Sequence, residues 1–213
     1  MEHYSQLIHL IAITMGVAWA SGINLYATLL SLGLMSQFGY VELPIELAVL
    51  SDPLVIMASG LMYMVEFVAD KTPGVDSSWD AIHTFIRIPA GALLAAGMVG
   101  EVGLAAELAA AIVGGTITSG AHLTKTSSRL LINTSPEPVS NWTASFAEDI
   151  AVFTGLWAAL NHPILFLILL VLFLMMVVYM LPRLFRAIKT VLNEVIGLFS
   201  SRKSSAEDKQ DIQ

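Results

Sequence analysis

The chain has no cysteine, so disulfides and thiolate metal sites are excluded, and nothing can be read about redox compartment. Charge is scarce as well. Asp, Glu, Lys and Arg make up 13% of the residues, against about 25% in an ordinary globular domain. Half the usual solvated surface is therefore missing. With 56% hydrophobic residues and a mean hydropathy of +0.75, a water-soluble chain would have to bury nearly everything it contains. A bilayer removes that difficulty, because lipid serves as solvent for the apolar faces. Basic residues are fewest of all: 10 Lys and Arg against 17 Asp and Glu leave a net charge of −7. Nucleic-acid binding calls for clustered Lys and Arg, and is not expected here. Met1 to Gln6 holds no Lys or Arg, so it lacks the positive start of a cleaved signal peptide, and the first apolar stretch is expected to be retained.

What is present is apolar and helical. The run Pro163 to Leu181 carries no charge and would span about 28 Å as a helix, close to the hydrocarbon thickness of a bilayer. Pro163 suits a first helical turn, where a missing N–H costs nothing. Leu7 to Phe38 is apolar but interrupted by Ser21-Gly22-Ile23-Asn24; unbroken, it would reach about 48 Å, too long for a bilayer without strong tilt or a break. Pro53–Val68, Ile88–Val99, Val102–Ile117 and Phe146–Leu160 are further candidates. The composition allows about five to seven spans. The linkers read as short, except for polar stretches over Asp70 to Arg87 and Leu123 to Ser145. The expectation is an all-α, polytopic transmembrane helical bundle in one membrane domain, 1–199. A basic helix over 182–199 and a disordered cytoplasmic tail over 200–213 complete it. Arg183, Arg186 and Lys189 follow the strongest span, which predicts a cytoplasmic C-terminus by the positive-inside rule.

The sequence also reads as a diverged duplication, with repeat one at about 7–100 and repeat two at about 102–181. Ser21-Gly22-Ile23-Asn24-Leu25 aligns with Ser119-Gly120-Ala121-His122-Leu123, and Ala48 to Leu54 with Ala158 to Ile164. Paired Gly-interrupted segments are the sequence signature of broken or re-entrant helices in secondary transporters, whose exposed helix ends bind substrate. Close helix packing through small residues explains the same pattern without a substrate.

The most distinctive stretch is Glu66 to Gly91. As a helix after Gly74, it puts Asp76, Asp80, His83 and Arg87 on one face, with Trp79, Ile82 and Phe85 on another, as in an interfacial helix with an aromatic anchor. Asp76, Asp80 and His83 are candidate ligands for a divalent cation; the alternative is a loop-orienting network in which Asp80 and His83 pair with Arg87. Glu66 and Asp70 share a face at the end of a span, and an ionisable group at membrane depth is a functional hypothesis.

This stretch, with Ala20-Ser21-Gly22-Ile23-Asn24, Ser135-Pro136-Glu137-Pro138 and Glu148-Asp149, resembles the bacterial integral-membrane family catalogued as domain of unknown function 4126. The resemblance runs from about Met15 to Met180. It implies a polytopic inner-membrane protein and brings no activity or site residue with it. The sequons at Asn133 and Asn141 carry no meaning in a bacterial cytoplasmic loop, and the glycines from Gly97 to Gly103 do not form a phosphate loop.

Three functions follow. The first is a transporter or channel-like protein for a small solute or ion, with the lipid bilayer as its surroundings and a homo-oligomer as a possible state. Its substrate site would draw on Ser21, Gly22, Asn24, Glu66, Asp70, Arg87, Ser119, Gly120, His122 and Lys125. The acids favour a cation or a proton over an anion held by Arg87, Lys125 and Arg129. The second is a membrane-embedded enzyme using a divalent cation on a lipid head group. The third is a non-catalytic scaffold.

Overall fold

A computed structural model describes residues 2–72, 74–134, 138–180, 182, 183 and 186. Most of the expected basic helix, the tail and the Ser135-Pro136-Glu137 motif lie outside the described residues. Among the described residues the chain is helical and has no strand. The helices are α1 (Glu2–Ile23), α2 (Leu25–Gln37), α3 (Pro53–Ala69), α4 (Val75–Gly97), α5 (Leu104–Ile132), α6 (Pro138–Asn161) and α7 (Pro163–Met180). Short 3₁₀ turns at Ile45–Ser51 and Gly100–Val102 lead into α3 and α5.

The helix starts follow from local chemistry. Asp52 caps α3 by accepting from the Leu54 N–H, and Pro53 takes the first turn. Gly74 (φ 82°) and Gly103 (φ 121°) precede α4 and α5 in backbone conformations that disfavour a side chain. Three helices are long and apolar enough to cross a membrane: His3–Ile23, Leu104–Ile132 and Pro163–Met180. The 3₁₀ turn and α3, bent by 68° at Asp52, make a fourth if they are taken as one broken span.

α1, α4 and α5 meet through small residues. A Cβ on Gly22 would lie 2.4 Å from the Thr118 carbonyl oxygen, one on Gly91 2.2 Å from the Thr118 hydroxyl, and one on Gly114 2.3 Å from the Ala95 methyl. α4 and α5 run antiparallel, with Gly91 beside Thr118 and Asp76 bonded through Asn133. One end of the bundle gathers Leu47 against Gly97 and Glu42 beside Ala159. The other gathers Asp76 with Asn133, Lys71 with Ser145, and Arg129 with Asn141.

The structure revises two expectations and fixes the direction of a third. α1 does break, at Asn24 alone, and α2 leaves in a new direction to end where α3 begins, with the Gln37 amide donating to the Ser51 carbonyl at 2.6 Å. The matching segment does not break: α5 passes unbroken through Ser119-Gly120. Asn24 turns its side-chain oxygen to the Ala27 N–H and so caps α2. His122, at the equivalent place, spends both ring nitrogens sideways on Thr84 and Arg87 and leaves the helix ladder intact. Second, the Leu123 to Ser145 linker is mostly helix, divided between α5 and α6, because its Lys and Arg find buried acids instead of water. Third, the charged face of α4 that the spacing predicts is turned into the bundle. Asp76, Asp80, His83 and Arg87 are buried, while Ile82 (64%) and Phe85 (84%) are exposed. Its polar face is the inner one.

Candidate functional site

Every Lys and Arg that precedes Arg183 in the sequence is buried: Lys71, Arg87, Lys125 and Arg129. They converge with acids from α3, α4 and α6. Glu66 lies about 20 Å along α3 from Pro53, and Arg87 lies midway along α4; both are fully buried. The Arg87 guanidinium donates to Glu66 Oε1 and, at 2.9 Å, to Asp80 Oδ1. Lys125 Nζ donates to Asp70 Oδ2 at 2.8 Å and Glu66 Oε1 at 3.3 Å, and stands 3.5 Å from Glu148 Oε2. It also donates to the Ile23 carbonyl at 3.1 Å. That places a cation on the open C-terminal end of α1, where the helix dipole favours it.

Arg129 forks onto Glu148, Nε to Oε1 at 3.1 Å and Nη2 to Oε2 at 2.7 Å. Its third nitrogen donates to the carbonyls of Asp70 and Asn141. Removing a charge of this kind from water costs several kcal/mol, which geometry this complete can offset.

The histidines are held in defined tautomers. His122 Nδ1 faces the Arg87 guanidinium at 3.3 Å and therefore accepts. Its Nε2–H then donates to the Thr84 hydroxyl at 2.7 Å, which itself donates to the Asp80 carbonyl. His83 donates from Nδ1 to the Trp79 carbonyl at 2.9 Å and accepts from the Tyr26 hydroxyl at 3.1 Å, with its ring stacked on Trp79. Lys71, in the turn after α3, donates to Ser145 Oγ at 3.0 Å and lies 4.6 Å from the Phe146 ring centroid. Burial lowers its pKa below the usual lysine value, against the pull of Asp149 and Asp70.

Acids outnumber bases in this network. Glu66, Asp70, Asp76, Asp80, Glu148 and Asp149 face four cations, a formal excess of two negative charges. Glu66 Oε2, Asp70 Oδ1, Asp80 Oδ2 and Asp149 Oδ2 are buried without a hydrogen-bond partner. Beside the network lies a cavity of about 250 Å³, lined by Thr124, Lys125 and Ser128 of α5, Glu148 of α6 and Phe173 of α7.

Of the residues singled out from sequence, Asn24, Glu66, Asp70, Arg87, His122 and Lys125 are brought together here. Ser21, Gly22, Ser119 and Gly120 are not. Ser21 and Ser119 bond back to carbonyls of their own helices, Gly22 is the α1–α5 crossing, and Gly120 faces Val177.

The three candidate metal ligands are kept apart by their partners. Asp76 takes N–H groups from Gly74 and Ser77 and the Asn133 amide. Asp80 goes to Arg87, and His83 to Tyr26 and Trp79. Among the described residues, no three His, Cys, Asp or Glu stand together as a metal site. Within the proposed loop-orienting network, Asp80 pairs with Arg87 and His83 does not. Asn133 and Asn141, dismissed as sequons, are structural members: Asn141 donates to Asn133, and Asn133 donates to Asp76.

A family model, "Domain of unknown function (DUF4126)", matches residues 11–183, and the chain belongs to that family. No curated protein and no solved structure matches it.

Proposed function

We propose that this member of the DUF4126 family is a membrane transporter or channel-like protein for a small solute or ion. The observation that carries the reading is the desolvated Glu66–Arg87–Lys125–Asp80 network, set against the broken end of α1 within an apolar bundle. A membrane protein gains little stability from buried ion networks of this kind, and ionisable groups among membrane helices mark substrate or ion paths. The acid excess favours a cation or a proton as the moving species. Asn24, Glu66, Asp70, Arg87, His122 and Lys125 line the path.

The two halves are diverged copies. The Ser21-Gly22 and Ser119-Gly120 segments cross one another at Gly22 and Ala121, and helix starts at Pro53 and Pro163 follow Asp52 and His162. The protein sits in a bacterial inner membrane with its C-terminus, and the Lys71–Asn133 end, in the cytoplasm. Purified protein in liposomes, challenged with a panel of monovalent cations, a proton gradient and small polar solutes, tests the reading. It predicts flux above that of protein-free vesicles for at least one of them. Vesicles that stay tight to all of them contradict it.

A further inference from the structure

Asp149 differs from the other acids of the network. Glu66, Asp70, Asp80 and Glu148 each lie within 4 Å of Lys or Arg nitrogens, and Asp76 collects several N–H donors. Among the described residues, Asp149 forms no ion pair. Its one hydrogen bond within 3.5 Å is the 3.2 Å contact from the neutral Asn24 amide to Oδ1; the Tyr63 hydroxyl is a longer donor to the carboxylate, and the buried Oδ2 has no donor within that distance. The charged and titratable groups that face it are Tyr63 of α3, Asp70 and Lys71 of the turn that follows it, and Lys125 of α5. A carboxylate so placed, 8% exposed and inside a network already rich in acid, is relieved most simply by taking up a proton on Oδ2, which has no donor within hydrogen-bond distance.

We propose that Asp149 is an exchangeable proton-binding site whose charge state is transmitted to the break between α1 and α2. The link is direct. Asn24 is the one non-helical residue of the break, and its two side-chain ends are divided between the two roles. Oδ1 caps α2 at the Ala27 N–H, and Nδ2 donates to Asp149. An Asp149 carboxylate holds that amide firmly. Once the carboxylate takes a proton from water it is neutral and a weaker acceptor, and the break is freed to move. Resting on the transport reading, this makes the proton the coupling ion. The proton binds at Asp149, the Asn24 contact weakens, and the proton leaves by the reverse step.

Infrared spectroscopy of the purified full-length chain tests this without any transported solute. The carbonyl stretch of a protonated carboxylic acid, identified by its shift in D₂O, is expected to persist above the ordinary aspartate range, to be lost as the pH is raised further, and to be absent from Asp149→Asn. Asn24→Ala removes the donor that favours the charged form, and is expected to move the titration upward by about one pH unit. This second variant carries the test if Asp149→Asn does not fold. No such band in the wild type, a band that survives Asp149→Asn, or a titration that Asn24→Ala leaves in place would each overturn the proposal. Tight vesicles in the flux experiment, with the band present and titrating as described, would instead defeat the transport reading and leave the proton site standing.

Discussion

At the scale of single residues, the burial of Arg87 and Glu66 makes them sensitive to half-measures. Removing one partner of a buried pair leaves the other charged and unaccompanied, which costs about 3–5 kcal/mol. Arg87→Gln therefore leaves Glu66, Asp80 and the His122 acceptor without their guanidinium. Its thermal unfolding midpoint in detergent should fall well below that of the wild type, whereas Arg183→Gln, at an exposed position, should leave it unchanged. Asn24→Ala loses the cap of α2 at a cost of about 1 kcal/mol. Faster backbone hydrogen exchange confined to residues 25–29 is the expected readout, and uniform protection across α2 would argue against the cap.

At the scale of elements, α4 shows what the sequence could and could not say. Spacing alone placed Asp76, Asp80, His83 and Arg87 on one helical face, and the structure keeps them there. The sequence could not say which way that face turns, because an amphipathic helix reads the same with water or with buried counter-charges on its polar side. The partners that decide it lie on other helices: Glu66 on α3 and Lys125 on α5. Polar Leu123 to Ser145 reads as a linker for the same reason, since the acids that take up Lys125 and Arg129 lie elsewhere in the chain. By contrast, the break at Asn24 and the helix starts at Pro53 and Pro163 were legible, since capping and proline chemistry are local. Whether the Ser-Gly pairs bind or pack was not legible, because a glycine's neighbour is a tertiary fact; here Gly22 meets Thr118.

Two predictions belong to this scale. Gly91→Val forces its side chain into Thr118 and should separate α4 from α5, giving little folded protein on size-exclusion chromatography. Phe85→Asp puts a charge on the outer, apolar face of α4; if that face meets lipid, membrane insertion should weaken by about 2.5–3.5 kcal/mol. Normal insertion of Phe85→Asp would mean that α4 lies outside the hydrocarbon.

At the scale of the whole molecule, the charges are distributed along one direction. The turn at Lys71 and the Asn133–Asn141 corner share an end with the ion network, while Glu42, Glu46 and Glu101 belong to the opposite end. The chain has no native cysteine, so Thr72→Cys and Glu101→Cys can be labelled separately in intact cells. The proposed orientation has Glu101→Cys react with an impermeant thiol reagent from outside and Thr72→Cys react only after lysis. The opposite pattern would invert the topology without moving the network.

The central claim is that the buried network is the working site of the protein and not only a structural knot. Flux in proteoliposomes of Glu66→Gln combined with His122→Ala, compared with the wild type, tests it most directly. Assayed below its lowered unfolding midpoint, the double variant should still insert and retain its helix content, and its flux should fall to that of protein-free vesicles. Wild-type flux from the double variant would contradict the claim.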